Sequence, residues 1–342
     1  MNAGRTALPE RLISIAHGGG GTRMIELLRE TVFPLLGEDV LLDAEDAAVL
    51  ALPGDRIALT TDSFVVKPLF FPGGDIGKLA VCGTVNDLAM VGARPLYLTM
   101  GLILEEGLSF SVLEKVVSSV ADWAENTQVR IVAGDTKVVE RGMADGMYIN
   151  TSGVGVLEEG REVSIKGASP GDALIVNGYV GDHGIAVLSE REGFSFEAEL
   201  PSDCAPLYGL VQSMLEAGEV HSLRDPTRGG LAAALNEMAS ASGCAFEIVE
   251  GDVPVREGVR AVCEMLGLDP LYVANEGKFL AAVPESDAGK VLAAIKGHAL
   301  GENAMLIGRA TEGRKGQVSL LTPLGTRRLL RTPSGEQLPR IC

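Results

Sequence analysis

Short β-branched runs that break off into glycine, threonine and carboxylate recur along this chain between longer helical stretches. That alternation confines it to α/β folds in which helices are layered on a sheet. Arg56 to Val66 alternates apolar and polar residues ahead of Pro68, the pattern of a strand leading into a loop, and delivers Thr60, Thr61, Asp62 and Ser63 near its end. Ile76 to Val91 predicts a mostly apolar helix interrupted by Asn86 and Asp87, which want partners because unpaired burial of such groups is costly. Ser111 and Glu114 read as a capping box for a helix with Val112, Val116, Val120 and Trp123 turned inward. Arg130 to Ala133 is a β-branched strand that ends in Gly134, Asp135, Thr136 and Lys137, and polar residues just past a strand end are a common place for ligands. Met147 to Val156 supplies a further strand.

The stretch Glu158 to Pro170, with its glycine, charge and proline, is the expected linker, and 342 residues are too many for one ordinary core. The expected division is an N-terminal extension with a glycine-rich loop (1–40), a first domain (41–157), a second α/β domain (158–330) and a mobile tail (331–342). In the second half, Ala173 to Asn177 reads as a strand and Gly181 to Gly184 as a tight turn into a helix, where His183 is either a turn hydrogen-bonder or a catalyst. Asp225 reads as the N-cap, and Pro226 as the first residue, of an alanine-rich helix, although Arg228 with Gly229 and Gly230 also suits a phosphate. A helix over Val255 to Leu266 stops at Gly267. A strand over Leu271 to Ala274 then runs into Asn275, Glu276, Gly277 and Lys278, which is either a site or a turn with a surface ion pair.

A formal net charge of −17 argues against nucleic acid or an anionic membrane as a partner of the whole surface, and no apolar run has the length of a signal peptide or a membrane span. The expected location is cytoplasmic. Cys82, Cys204, Cys244, Cys263 and Cys342 are scattered without a CxxC pair, so four read as core residues. Cys342 differs, because it sits on a tail punctuated by Pro333, Gly335 and Pro339. An exposed thiol there would be partly ionised and could be carried into a distant pocket; the alternative is a cysteine without a task.

Gly18 to Gly21 could cradle a phosphate or serve as a hinge, and Gly73 to Lys78 misses a Walker motif, with three residues between the glycines instead of four and Leu79 in place of Ser or Thr. No G-x-S-x-G, H-E-x-x-H or kinase catalytic loop is present, which weighs against hydrolases, metalloproteases and protein kinases. Asp43, Asp46, Asp62, Asp87 and Asp135 recur beside small or polar residues. Carboxylates gathered from strand ends repel one another unless a hard cation sits between them, so Mg²⁺ with ATP is one reading, and separate caps and turns the other.

Thr60 to Val66, Phe70 to Ala80, Cys82 to Asp87 and Gly134 to Val139 closely resemble the HypE family of hydrogenase maturation factors. So do Gly181 to Gly184, Ser202 to Ala205, Arg224 to Gly230, Asn275 to Lys278 and Leu338 to Cys342, in order from about Asp46 onward. The resemblance implies an aminoimidazole ribonucleotide synthetase-like fold of mixed α/β (α+β) class: a ferredoxin-like first domain that binds ATP and dimerises, an α/β second domain and a flexible tail. It implies a reaction on Cys342 itself. A carbamoyltransferase, HypF, would load the sulfur with a carbamoyl group, ATP would drive its dehydration to an S-cyanate, and the cyanide would pass to a HypC-HypD iron scaffold for the [NiFe] centre.

By family position, Asp46, Asp62, Asp87 and Asp135 would hold Mg²⁺ and phosphates, with Asn86, Thr136 and Arg228 also on the nucleotide. Lys137 would stabilise charge and Glu276 would accept protons, or the two would exchange those duties, and His183 would touch phosphate or tail. The competing readings are an ATP-gated carrier that presents a modified cysteine, and a small-molecule kinase or synthetase of the same fold.

Overall fold

The computed structural model describes residues 11–18, 22–37, 52–54, 56–158, 160, 162–193, 200–332 and 342. Near its start, helix α1 (Thr22–Leu27) continues through one π turn (Leu28–Val32) into α2 (Phe33–Leu36). The first domain then runs β1 (Ile57–Phe64), a small hairpin of β2 (Phe70–Phe71) and β3 (Gly74–Asp75), α3 (Ile76–Met90), β4 (Ala93–Glu105), α4 (Phe110–Thr127), β5 (Arg130–Val139) and β6 (Met147–Leu157). Its sheet has the order β1-β6-β4-β5, antiparallel except for β4 and β5, which run parallel because α4 returns the chain between them. Helices α3 and α4 cover one face. Gly77 allows their close approach, since a Cβ there would lie 2.5 Å from the carbonyl oxygen of Val116.

Helix α3 begins at Asp75, whose carboxylate accepts the N–H of Gly77 at 2.7 Å and of Lys78 at 3.2 Å. Thirteen of its fifteen residues are buried, a condition a helix reaches only when covered all round. The sheet covers one side. The second domain covers the other, with Ala89 and Met90 packed in one cluster with Leu210, Val211 and Met214.

The second domain comprises β7 (Ala173–Val176), α5 (Asp182–Glu192), α6 (Tyr208–Ala217), β8 (Ser222–Arg224), α7 (Gly230–Ser242), β9 (Ala245–Val249), α8 (Glu257–Leu266), β10 (Leu280–Val283), α9 (Glu285–Lys296), β11 (Met305–Thr311), β12 (Val318–Leu321) and β13 (Arg327–Leu329). Its seven strands order as β13-β12-β9-β11-β7-β10-β8. Every residue of β7 and β10 is buried, which is why their sequences are unbroken apolar runs rather than alternating ones. Leu231, Leu235 and Met238 of α7 pack with Leu174 and Val176, and Leu210 and Met214 of α6 with Val291 and Ile295 of α9 pack with Ile175 and Ala281.

Several local expectations are corrected. The cap of α4 is Ser109, which accepts the N–H of Ser111 at 3.1 Å, and the buried face is Leu113, Val116, Val117, Val120 and Ala124 rather than one running through Val112 and Trp123. Strand β5 runs on through Gly134 to Lys137, so those residues lie within a strand and not past its end. Helix α7 starts at Gly230 with Gly229 as its cap, leaving Asp225 outside the helix. Leu271 to Ala274 is no strand: Pro270–Tyr272 forms a 3-10 turn, capped by Asp269 accepting the N–H of Leu271 at 3.0 Å.

Candidate active site

Where the end of β1 meets the second domain, a cavity of about 210 Å³ is lined by Asp62 and Asp87 of the first domain, by Arg224, Asp225, Arg228 and Glu276 of the second, and by Cys342. Strand parity explains the first two. Asp62 lies opposite Thr151 and so points to the helix-covered face, as does Thr60 two residues earlier, whose hydroxyl donates to Asp87 Oδ2 at 2.7 Å. Burial and then the charge of Asp87 raise the carboxyl of Asp62; burial likewise raises Asp87, against the pull of the Thr60 hydroxyl and of Arg224. Asp225 is pushed up to about 6, by burial first and by Asp87 second. These carboxylates crowd one another with too little positive charge to balance them.

Glu276 is 4% exposed and its carboxyl is raised well above the usual range, by burial and then by Cys204, Asp225 and Asp203. Its peptide is pinned on both sides. The carbonyl accepts from Asn86 Nδ2 at 3.2 Å, and the N–H donates to Asp203 Oδ1 at 3.2 Å. Cys342 is half-buried, and its carbonyl accepts the N–H of Val65 at 3.3 Å just past β1. Burial, reinforced by Glu276, pushes its thiol up to about 12. The partial ionisation expected of an exposed Cys342 does not apply in this position, because in the cavity the thiol keeps its proton at neutral pH. The other four cysteines are buried, as expected.

Asp135, Thr136 and Lys137 are not in this cavity. Register aligns Ser63, Asn150, Gly101 and Asp135 in one row across the sheet, with Asp62, Thr151, Met100 and Gly134 in the next, so Asp62 and Asp135 face opposite ways. Lys137 donates to both oxygens of Asp135, at 2.6 and 2.7 Å, on the open face, and this bond holds Asp135 below the usual carboxylate range. Thr136 is buried on the inner side.

Asn86 serves as a clip between domains: besides Glu276, it donates to the carbonyl of Ala205 at 3.1 Å and accepts the N–H of Leu207 at 2.7 Å. His183 is fully buried, with Nδ1 2.8 Å from Ser202 Oγ and its ring edge-on to Phe71, and does not line the cavity. Asp46, Gly19 to Gly21 and tail residues 333–341 lie outside the described residues.

Sequence reasoning missed Arg224 and Asp225. The Asp-Pro pair masked Asp225 as a helix cap; the signal that could have found it was its place one residue past a strand, β8. Arg224 donates to Glu237 at 2.9 Å, but its buried Nε has no partner among the described residues, an N–H available to an anion.

Among the described residues no group of three or more His, Cys, Asp or Glu side chains is placed to hold a metal ion. The pair Asp62 and Asp87 still fits Mg²⁺, which takes one or two carboxylates and completes its shell from phosphate oxygens and water.

Fold and site together define a two-domain protein of the AIR synthase-related class: the N-terminal domain model of that family matches residues 44–157 and the C-terminal domain model residues 169–320. Within that class the chain belongs to the HypE family of carbamoyl dehydratases. It is 50% identical over 331 residues to carbamoyl dehydratase HypE of Azotobacter vinelandii, covering 96% of this chain and 97% of that one. The solved structure of hydrogenase maturation protein HypE in complex with ATP superposes with a TM-score of 0.93 at 48% identity, covering 96% and 99%. A HypE-HypF complex matches with a TM-score of 0.79 at 48% identity, covering 90% and 99%.

Proposed function

We propose that this chain uses ATP to dehydrate an S-carboxamide on its own Cys342 to an S-cyanate, the source of cyanide in [NiFe] hydrogenase maturation. One observation carries the reading: the sulfur-bearing residue of the tail shares a cavity with a buried acid, Glu276, and with the acidic pair Asp62 and Asp87. A carrier that merely displayed its cysteine would not need it there.

The step balances as thiocarboxamide plus ATP giving thiocyanate, ADP and phosphate. An amide oxygen is a poor leaving group, so it attacks the γ-phosphorus and departs as phosphate, while one nitrogen proton goes to a base and the other leaves with the departing phosphate as the nitrile forms. Glu276 is that acceptor, its raised carboxyl making it a stronger base once ionised. Arg228 and the spare N–H of Arg224 meet the phosphoryl oxygens. Asp62 and Asp87 would hold Mg²⁺, which when bound neutralises the phosphate charge. The high pKa of Cys342 does not obstruct the reaction, because the sulfur is already carbamoylated when it enters and does not act as a nucleophile.

Asp135 and Lys137 join this chemistry through a second copy. The open face of the first sheet also exposes Leu59 (70%), Ile57 and Ile103, an apolar surface that a homodimer would cover. In that dimer Lys137 lies over a cleft between copies and stabilises phosphate charge. HypF is the carbamoyl donor and a HypC-HypD scaffold the cyanide acceptor. No described helix is long and apolar enough to cross a membrane, and the proposed place of action is the cytoplasm.

Intact-mass analysis after incubation with HypF, carbamoyl phosphate and ATP tests the whole reading. The tail should gain a carbamoyl group and then lose one water, and the second change should vanish with a non-hydrolysable ATP analogue. Tail modification that proceeds to cyanate without ATP turnover, or unchanged ATP chemistry after truncation at Gln337, would overturn it.

A further inference from the structure

The peptide that carries Glu276 is gripped by a buried ion pair that dehydration itself does not consume. Asp203, its side chain 2% exposed, accepts the N–H of Glu276 at 3.2 Å through Oδ1 and that of Gly277 at 3.0 Å through Oδ2. Lys278 Nζ, 11% exposed, lies 3.1 Å from the same Oδ2. Three consecutive residues therefore converge on one carboxylate. Gly277 makes this possible, because a Cβ there would lie 1.9 Å from the carbonyl oxygen of Asp203. Asp203 stays charged: burial alone would raise its carboxyl, but Lys278, His183 and the Glu276 N–H outweigh burial and hold it below the usual range.

A buried ion pair is a weak source of stability, since desolvation offsets most of its attraction. Its place here calls for another explanation. Asn86 fixes the carbonyl of Glu276 and Asp203 fixes its N–H, so both peptides flanking the acid are immobilised and only side-chain torsions remain. We infer that the Asp203–Lys278 pair is a positioning device, holding the backbone of Glu276 so that its carboxylate meets the carbamoyl nitrogen on Cys342. The assignment rests on Glu276 being the proton acceptor.

Single-turnover dehydration of the carbamoylated full-length protein, with ATP varied, reads the effect. Glu276→Gln comes first and must be inactive; if it turns over normally, the role of Glu276 fails and the positioning role fails with it. With Glu276→Gln inactive, Asp203→Ala is expected to lower kcat about 100-fold while KM for ATP stays within about twofold, the pattern of a displaced reacting group. Asp203→Asn combined with Lys278→Met keeps an oxygen for the backbone N–H groups and leaves no lone buried charge. It should recover about tenfold or more over Asp203→Ala. A double variant no better than Asp203→Ala, or a fall in kcat accompanied by an equal rise in KM, makes the pair a support of the fold only and overturns the inference. If Asp203→Ala does not fold, the double variant decides alone: kcat within about tenfold of wild type at unchanged KM upholds positioning, and a larger loss refutes it.

Discussion

Two faces of one four-stranded sheet carry the acids of this protein, and they are in opposite states. On the covered face Asp62, with Asp87 and Asp225 beside it, lies in a cavity that raises each carboxyl, and the tail sulfur sits among them with its proton retained. On the open face Asp135 is neutralised by Lys137 and held low, both side chains more than half exposed. Strand parity alone separates them, since Asp62 and Asp135 occupy adjacent rows. The covered face brings residues of both domains and the tail cysteine together within a single chain. The open face carries its ion pair in contact with solvent.

The largest expected effect tests the covered face: Cys342→Ser should abolish the S-cyanate in intact-mass analysis, and a surviving product would remove the tail from the chemistry. Next in size, the retained proton makes Cys342 slow to alkylate. With its thiol at about 12 rather than near 8.5, iodoacetamide at pH 8 should label it about 100-fold more slowly than a model thiol, and faster only when the tail leaves the cavity. Labelling at the model rate would mean the sulfur rests outside.

The open face is probed by Lys137→Ala, which should lower kcat about 100-fold, as the loss of a charge-stabilising donor does, without altering the nucleotide-free fold. Leu59→Glu should split the proposed dimer in analytical ultracentrifugation and lower activity about tenfold, with the covered cavity untouched. A fully active monomer would show that Asp135 and Lys137 are mere surface groups.

The smallest effect is on stability. The carboxyl of Asp225, raised to about 6, lets the folded protein bind a proton that the unfolded chain has already lost. Stability is therefore full below about 3.8 and declines as pH rises through 6. Asp225→Asn should raise Tm by about 2–4 °C at pH 7 without nucleotide and by nothing at pH 4; an equal gain at both would point to packing instead.

Much of this site was legible because two of its acids interrupt strong sequence patterns. Asp62 lies near the end of an alternating strand, and Asp87 is a charge inside an otherwise apolar helix, so both stand out from their surroundings. What failed was local grammar with two meanings. Asp-Pro is written the same way at a helix cap and at a cavity wall, and only the position of Gly229 shows that α7 begins later. Nor does a β-branched run announce its end: β5 continues through Gly134, which moved Asp135 and Lys137 from an expected loop to a strand face. The protonation of Cys342 was beyond reach, because it depends first on burial in the cavity and then on Glu276, a neighbour 66 residues away in sequence.

The amide of Asn86 has a mechanical consequence. It sits next to Asp87 on one rigid helix and grips the backbone of Glu276 with the same side chain that grips Ala205 and Leu207. Under the proposed roles of Asp87 and Glu276, a displacement of that helix on nucleotide loading would pull on the acid's backbone through one side chain, and the two chemical events would be coupled without a relay through the rest of the molecule.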